Sequence, residues 1–258
     1  TFKAMRDALE ATGRPILYSA HASDHLVNSE LTEVVNMWRT GSDIYIPWEK
    51  PNWDRVLWNA ELNTRYAQFA KPGYYNDPDF LLVGLCDGWA VNANGDYGFT
   101  TEQDRTQFNL WCIMASPLLI GADVCKLKRK SIDILTNAEV IAVDQDSLGY
   151  QGRPVYKNTA QQYEIWSKNL KNGDRAIMVF NRSATAKSVT LRWREAGLSG
   201  VKLVRDLWTH TDLGPQSDSM VIESMPPWAS EMYRMKDQPL GVRYDIATHP
   251  TRGGYHVR

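Results

Sequence analysis

The chain has 258 residues, 43% of them hydrophobic and 23% charged, enough to bury a core as one large domain or two smaller ones, which excludes a disordered chain. Twenty-nine Lys+Arg against thirty Asp+Glu leave a formal net charge of -1. No global basic field exists to hold a nucleic acid or an anionic membrane. No window approaches the roughly 18 uncharged apolar residues of a membrane span, and the longest candidate, residues 111–120, has the length of a core segment. Ten Trp, twelve Tyr and six Phe provide rings that serve either as core filling or as stacking faces for sugars.

Three cysteines, Cys86, Cys112 and Cys125, are an odd number without metal-site spacing, so at most one bridge is expected and no zinc site. The start lacks an initiator Met and reads as a helix rather than as a signal peptide, so the chain reads as one entered in the middle. Asn181-Arg182-Ser183 matches the acceptor pattern for N-glycosylation in a secretory compartment.

In chain order, Phe2, Met5, Ala8 and Leu9 mark a helix stopped by Gly13 and Pro15. Residues 16–19 read as a short buried strand. Leu31, Val34, Val35 and Trp38 form a helical stripe, and residues 43–46 the next strand or strand end. Residues 51–70 form a longer helix opened by proline, 79–84 a third strand, 101–114 a third helix announced by Thr-Thr-Glu-Gln, and 117–121 a fourth strand. Two short helices follow between residues 126 and 145. Apolar strands alternating with helices indicate parallel βα units, and four of them make the second half of a (β/α)8 TIM-type barrel over residues 1–153. Beyond residue 152 the period changes to two, with strands at 163–167, 175–180, 188–193, 201–208 and 219–222, and Asn172-Gly173-Asp174 marking a hairpin. This predicts an antiparallel β-sandwich over residues 154–236, then a tail over 237–258. The fold class is α/β plus all-β.

In a barrel of this kind chemistry sits at the carboxyl ends of the strands, here residues 19–24, 43–48, 84–96 and Asp123. Three places carry suitable side chains. Asp43 follows Arg39 by four residues, either as a structural ion pair or as an acid whose protonation and ligand a fixed guanidinium would govern. Asp77 and Asp79 flank a proline after Tyr74, Tyr75 and Asn76, either as paired acids or as acceptors for backbone amides. His21, Asp24 and His25 follow the first strand as packing residues or as lining of a site. No nucleophile elbow, phosphate-binding loop or zinc helix occurs, and residues 87–96 do not have the spacing of a calcium loop.

Five segments carry a resemblance in order and spacing: Thr12-Gly13-Arg14-Pro15-Ile16-Leu17-Tyr18-Ser19, Trp38-Arg39-Thr40-Gly41-Ser42-Asp43-Ile44, Asn76-Asp77-Pro78-Asp79, Ser116-Pro117-Leu118-Leu119-Ile120-Gly121 and Asp144-Gln145-Asp146-Ser147-Leu148-Gly149. The chain resembles the α-galactosidase and α-N-acetylgalactosaminidase family, family 27 of the glycoside hydrolases, over roughly residues 1–235, where Val204-Arg205-Asp206-Leu207-Trp208 is similar to a strand of that family's sandwich. The resemblance implies retaining hydrolysis of a terminal α-linked galactose-type sugar, with one Asp as nucleophile and a second, here Asp43, as acid/base. It assigns Arg39 to the sugar and Trp38, Asn76, Asp77 and Asp79 to structural support near the site. No cofactor or metal is implied, and the compartment is secreted or lysosomal/vacuolar.

The sequence departs from the family in three respects. The Lys-x-Asp-x-Cys segment of the nucleophile and the acidic patch for the sugar's 4- and 6-hydroxyls do not occur. Ala20-His21-Ala22 stands where many members have Cys-Glu-Trp, so the resemblance implies that His21 replaces the acidic contact to the sugar's 2-position. Pro227-Trp228 replaces a Pro-His. The expectation is that a second chain supplies barrel strands 1–4 and the nucleophile, through proteolytic nicking, split translation or an incomplete sequence. The alternatives are a non-catalytic structural or carbohydrate-binding subunit, and an enzyme for another sugar such as a β-L-arabinopyranoside.

Overall fold

The structure, a computed structural model, describes residues 2–21, 27–45, 51–85, 87 and 98–238. Helix α1 (Phe2–Glu10) comes first, and three parallel strands then lie side by side in chain order: β1 (Ser19–Ala20), β2 (Met37–Arg39) and β3 (Tyr75–Asp77). An isolated parallel bridge between Leu81 and Ile120 continues the sheet. Helices α2 (Ser29–Thr32), α3 (Trp53–Thr64) and α4 (Thr101–Ile113) alternate with these strands, and α5 (Arg129–Leu135) and α6 (Ala138–Asp144) close the unit. This is the parallel βα half-barrel expected, except that the fourth strand, expected at 117–121, is reduced to the bridge at Ile120. Its strands are only two or three residues long.

The element positions differ from the sequence reading at several points. The helix expected through Val34, Val35 and Trp38 stops at Thr32, and Trp38 is the middle residue of β2. Residues 43–45 are not a strand, and the strand expected at 79–84 lies instead at Tyr75–Asp77. The long helix ends at Thr64, followed by a separate 3₁₀ turn at Ala67–Phe69. Leu17 is exposed rather than part of a buried strand. Helix α4 begins where expected: Thr100 Oγ1 accepts from the Gln103 N–H and Gln103 Oε1 from the Thr100 N–H, a reciprocal capping box.

From Arg153 onward the chain is antiparallel. Strands β4 (Arg153–Asn158), β5 (Tyr163–Asn169), β6 (Arg175–Asn181), β8 (Lys202–Asp206), β9 (Thr211–Gln216) and β11 (Ser230–Asp237) form a six-stranded sheet in the order β4-β5-β6-β11-β8-β9. Strands β7 (Lys187–Arg192) and β10 (Ser219–Met225) pair as a second sheet. Ile165, Ile177, Val179, Val204 and Tyr233 of the large sheet meet Val189, Leu191 and Ile222 of the small one in a closed core. The β5–β6 hairpin turns at Asn172-Gly173, where Gly173 has φ 89.

The outer face of the large sheet is buried too. Trp166, Met178, Phe180 and Met232 pack with Phe108, Leu110 and Trp111 of α4 in one cluster. Buried on both faces, β6 therefore reads as a continuous apolar run, and α4 lacks a single apolar stripe. Polar contacts lock the junction: Thr106 Oγ1 donates to the Trp228 carbonyl at 2.8 Å, and Arg205 meets Glu139 of α6 through two bonds of 2.6 and 2.7 Å. Trp228, at the Pro227-Trp228 departure, lies edge-on to Trp53 at 6.4 Å in this junction. Cys112 and Cys125 are free thiols, whereas Cys86 and the tail beyond residue 238 lie outside the described residues.

Candidate functional site

The parallel register sets the site. Ala20 is level with Trp38 and Trp38 with Asn76, so His21, Arg39 and Asp77 each follow that row by one residue at the carboxyl ends of their strands. Beneath them Trp38 Nε1 donates to Asn76 Oδ1 at 2.7 Å, while Asn76 Nδ2 donates to the Tyr66 carbonyl at 2.8 Å and to Gln151 Oε1 at 2.7 Å. Trp38 and Asn76 are fully engaged, buried groups that fix strand spacing.

Above that row the charges converge on Arg39. Its Nη2 lies 2.9 Å from Asp79 Oδ2 and 3.2 Å from Asp43 Oδ1. Asp79 is occupied from several sides: Oδ2 also accepts from the Ile44 N–H at 2.9 Å, and Oδ1 from its neighbour's N–H, that of Phe80, at 2.8 Å. Its carbonyl accepts from Trp111 Nε1 at 2.7 Å. The backbone at Asp79 has φ 90, a region in which Asp is tolerated better than bulky residues. Asp77 Oδ1 accepts from the Asp79 N–H at 2.9 Å. Burial pushes the Asp77 carboxyl above its ordinary range, opposed by the Asp79 N–H and by the charges of Arg39 and His21, while the charge of Asp79 adds to the rise.

The three carboxylates thus differ in access. Asp77 and Asp79 are buried and hydrogen-bonded, whereas the Asp43 side chain is 63% exposed and held from one side by a guanidinium only 12% exposed. Of the three, only Asp43 presents its carboxylate to the solvent at the strand mouth. His21 is exposed at the same strand mouth, and Asp24 and His25 lie outside the described residues. Among the described residues no group of three or more His, Cys, Asp or Glu is placed to hold a metal ion.

One sequence expectation is overturned. Asn181 is completely buried, and its Nδ2 donates to the carbonyls of Thr185, Met225 and Pro226 at 2.9, 3.2 and 2.8 Å. A glycan would replace one of that nitrogen's two hydrogens and needs space that the buried side chain does not have, so the acceptor triplet is a structural turn. Sequence reading also missed Thr40, Asn59 and Asn63, whose side-chain bonds tie the loop after Arg39 to α3, and Gln151, which joins Asn76 to the Asn63 carbonyl. The available signal was the pair Asn59 and Asn63, four residues apart beside Val56 and Ala60 on α3.

Comparison with known proteins bears on both the parallel and the antiparallel part of the chain. The sequence profile described as "Alpha galactosidase A" matches residues 1–146, and that of the "Alpha galactosidase C-terminal beta sandwich domain" matches residues 160–235. The chain belongs to the α-galactosidase family. It is 34% identical to a probable α-galactosidase of Dictyostelium discoideum, with 88% of this chain and 55% of that protein covered. Identity to α-galactosidase 3 of Arabidopsis thaliana is 38%, covering 82% and 46% respectively. Among solved structures, α-galactosidase I of Mortierella vinacea superposes with TM-score 0.78 at 26% identity, covering 92% of this chain and 62% of that one. A family 27 β-L-arabinopyranosidase of Geobacillus stearothermophilus gives TM-score 0.78 at 27% identity, covering 94% and 55%. The chain thus spans about half the length of the curated relatives it matches.

Proposed function

We propose that these residues form the acid/base half of a retaining α-galactosidase-type active site, with Asp43 as general acid/base and Arg39 and His21 facing the sugar. The observation that carries this reading is the difference among the three acids: Asp43 alone is both open to a ligand and tied to Arg39. In a retaining mechanism the acid protonates the leaving oxygen while a second carboxylate about 5–5.5 Å away attacks the anomeric carbon, and the same acid then activates water. Trp38, Asn76, Asp77 and Asp79 support this geometry.

The nucleophile and barrel strands 1–4 are assigned to polypeptide outside these 258 residues, whether in the same protein or on a second chain. The apolar side chains at the two ends of the half-barrel sheet support this: Leu17 beside β1 is 61% exposed and Leu119 beside the last bridge 51%. A closed ring would cover both. The division into residues 1–153, 154–236 and 237–258 belongs to the same proposal, as does a secreted or lysosomal/vacuolar compartment, which rests on the family alone now that Asn181 is buried.

The test is release of p-nitrophenol from p-nitrophenyl α-galactoside by enzyme with a complete barrel, and its loss on Asp43→Asn. Activity on the β-L-arabinopyranoside instead would reassign the sugar. No release from either would favour a carbohydrate-binding or structural subunit.

A further inference from the structure

We infer that Asn59, on the helix behind the strands, is a positioning residue that sets the aim of Asp43; this rests on the proposed acid/base role of Asp43. Asn59 is 1% exposed and lies on α3, outside the row of strand-end residues. Its single Nδ2 donates to the Ser42 carbonyl at 2.6 Å and to the Pro78 carbonyl at 3.0 Å. An amide nitrogen carries two hydrogens, so both are spent here. The two acceptors immediately precede Asp43 and Asp79 in the chain. One side chain therefore joins the loop of the open carboxylate to the loop of the buried carboxylate that anchors Arg39.

Neighbouring contacts make the clamp specific. Asp79 Oδ2 accepts from the Ile44 N–H, so Asp43 sits between a residue held by Asn59 and a residue held by Asp79. Thr40, on the other side of the loop, donates through Oγ1 to Asn63 Oδ1 at 2.8 Å, one helical turn beyond Asn59. Gly41 leaves no room for a side chain: a Cβ there would lie 2.7 Å from Asn59 Cγ. Helix α3 thus grips the loop before and after Gly41, and the exposed Asp43 carboxylate is left at the end of a fixed backbone rather than on a free loop.

Such a residue acts through proton delivery. As the bond between the anomeric carbon and the glycosidic oxygen breaks, its electron pair goes to that oxygen, and Asp43 supplies the proton the oxygen takes up. A leaving group as acidic as 2,4-dinitrophenol departs without that proton, whereas an alkyl or sugar alcohol needs it. The experiment measures kcat/KM of Asn59→Ala, Asn59→Asp and Gly41→Ala, in enzyme with a complete barrel, on methyl and 2,4-dinitrophenyl α-galactosides. Gly41→Ala displaces the amide without removing it and covers the case in which the Asn59 variants do not fold. The expected result is a fall of about 10–100-fold on the methyl glycoside, with less than about threefold on the dinitrophenyl one. Equal falls on both, or no fall on either, would overturn the positioning role. Asp43→Asn run alongside separates the two claims: if it shows the selective loss and the Asn59 and Gly41 variants do not, only the role of Asn59 fails. If Asp43→Asn itself shows no selective loss, the acid/base reading beneath it fails.

Discussion

Arg39 and Asp79 meet at 2.9 Å with both side chains largely removed from water, the Asp79 side chain at 5% exposure. That pairing leaves Asp43 as the outer partner of the same guanidinium. A buried carboxylate holds the cation, and the cation in turn holds the exposed carboxylate.

Removing the inner charge should therefore act on both stability and activity. Asp79→Asn keeps an acceptor for the Ile44 or Phe80 N–H and tolerates the positive φ, but leaves Arg39 without its buried counter-charge. A loss of about 3 kcal/mol is expected from denaturant unfolding, by analogy with broken buried pairs. By contrast, Asp43→Asn should change stability by less than about 1 kcal/mol, because the Asp43 side chain is itself 63% exposed and Arg39 keeps Asp79 as its buried partner.

The second prediction concerns pH. Burial raises the Asp104 carboxyl from an ordinary value of 3.8 to about 7, with Lys130 and the Gly84 amide opposing the rise and Asp87 adding to it. The folded chain then holds a proton that the unfolded chain has already released. This group's contribution is fully favourable below about pH 4, declines as pH rises from about 4 to 7, and stays constant above that. The decline is at most about 4 kcal/mol, at 1.36 kcal/mol for each pH unit of displacement. Asp104→Asn should flatten the unfolding free energy between pH 4 and 7 relative to the parent chain, and an unchanged profile would contradict the assignment.

Asn181 gives a third test. Its two amide hydrogens are shared among three carbonyls in the turn between β6 and β7 and at the end of β10. Asn181→Ala leaves them without that donor and should destabilise by about 2–4 kcal/mol, while peptide mass spectrometry of secreted parent protein should show residue 181 unmodified.

Much of the architecture was legible because its signals are local. The capping box at Thr100 located α4, and Asn172-Gly173 located the β5–β6 hairpin. The barrel strands were misplaced for a physical reason. With two or three residues each, they are too short to show a period, and β3 ends in Asn76 and Asp77, whose buried side chains make hydrogen bonds rather than an apolar layer. Trp38 fell in a helical stripe by coincidence of spacing with Leu31, Val34 and Val35. Strands β4 and β9 lie at the edges of their sheet and carry Pro154 and Pro215, which an edge tolerates but which erase the alternating pattern. As for the site, the family pattern named Arg39 and Asp43 and set Asp77 and Asp79 apart as supports; what a sequence does not show is the difference in burial that separates the exposed Asp43 from the other two.

The central claim, that Asp43 is the acid/base of a retaining enzyme, is tested most directly by adding azide to Asp43→Asn with 2,4-dinitrophenyl α-galactoside as substrate, in enzyme with a complete barrel. The small anion replaces water in the second step without needing a base, so turnover should recover and the product should be galactosyl azide of retained α configuration, identified by NMR. No acceleration by azide, or an azide of inverted configuration, would contradict the account.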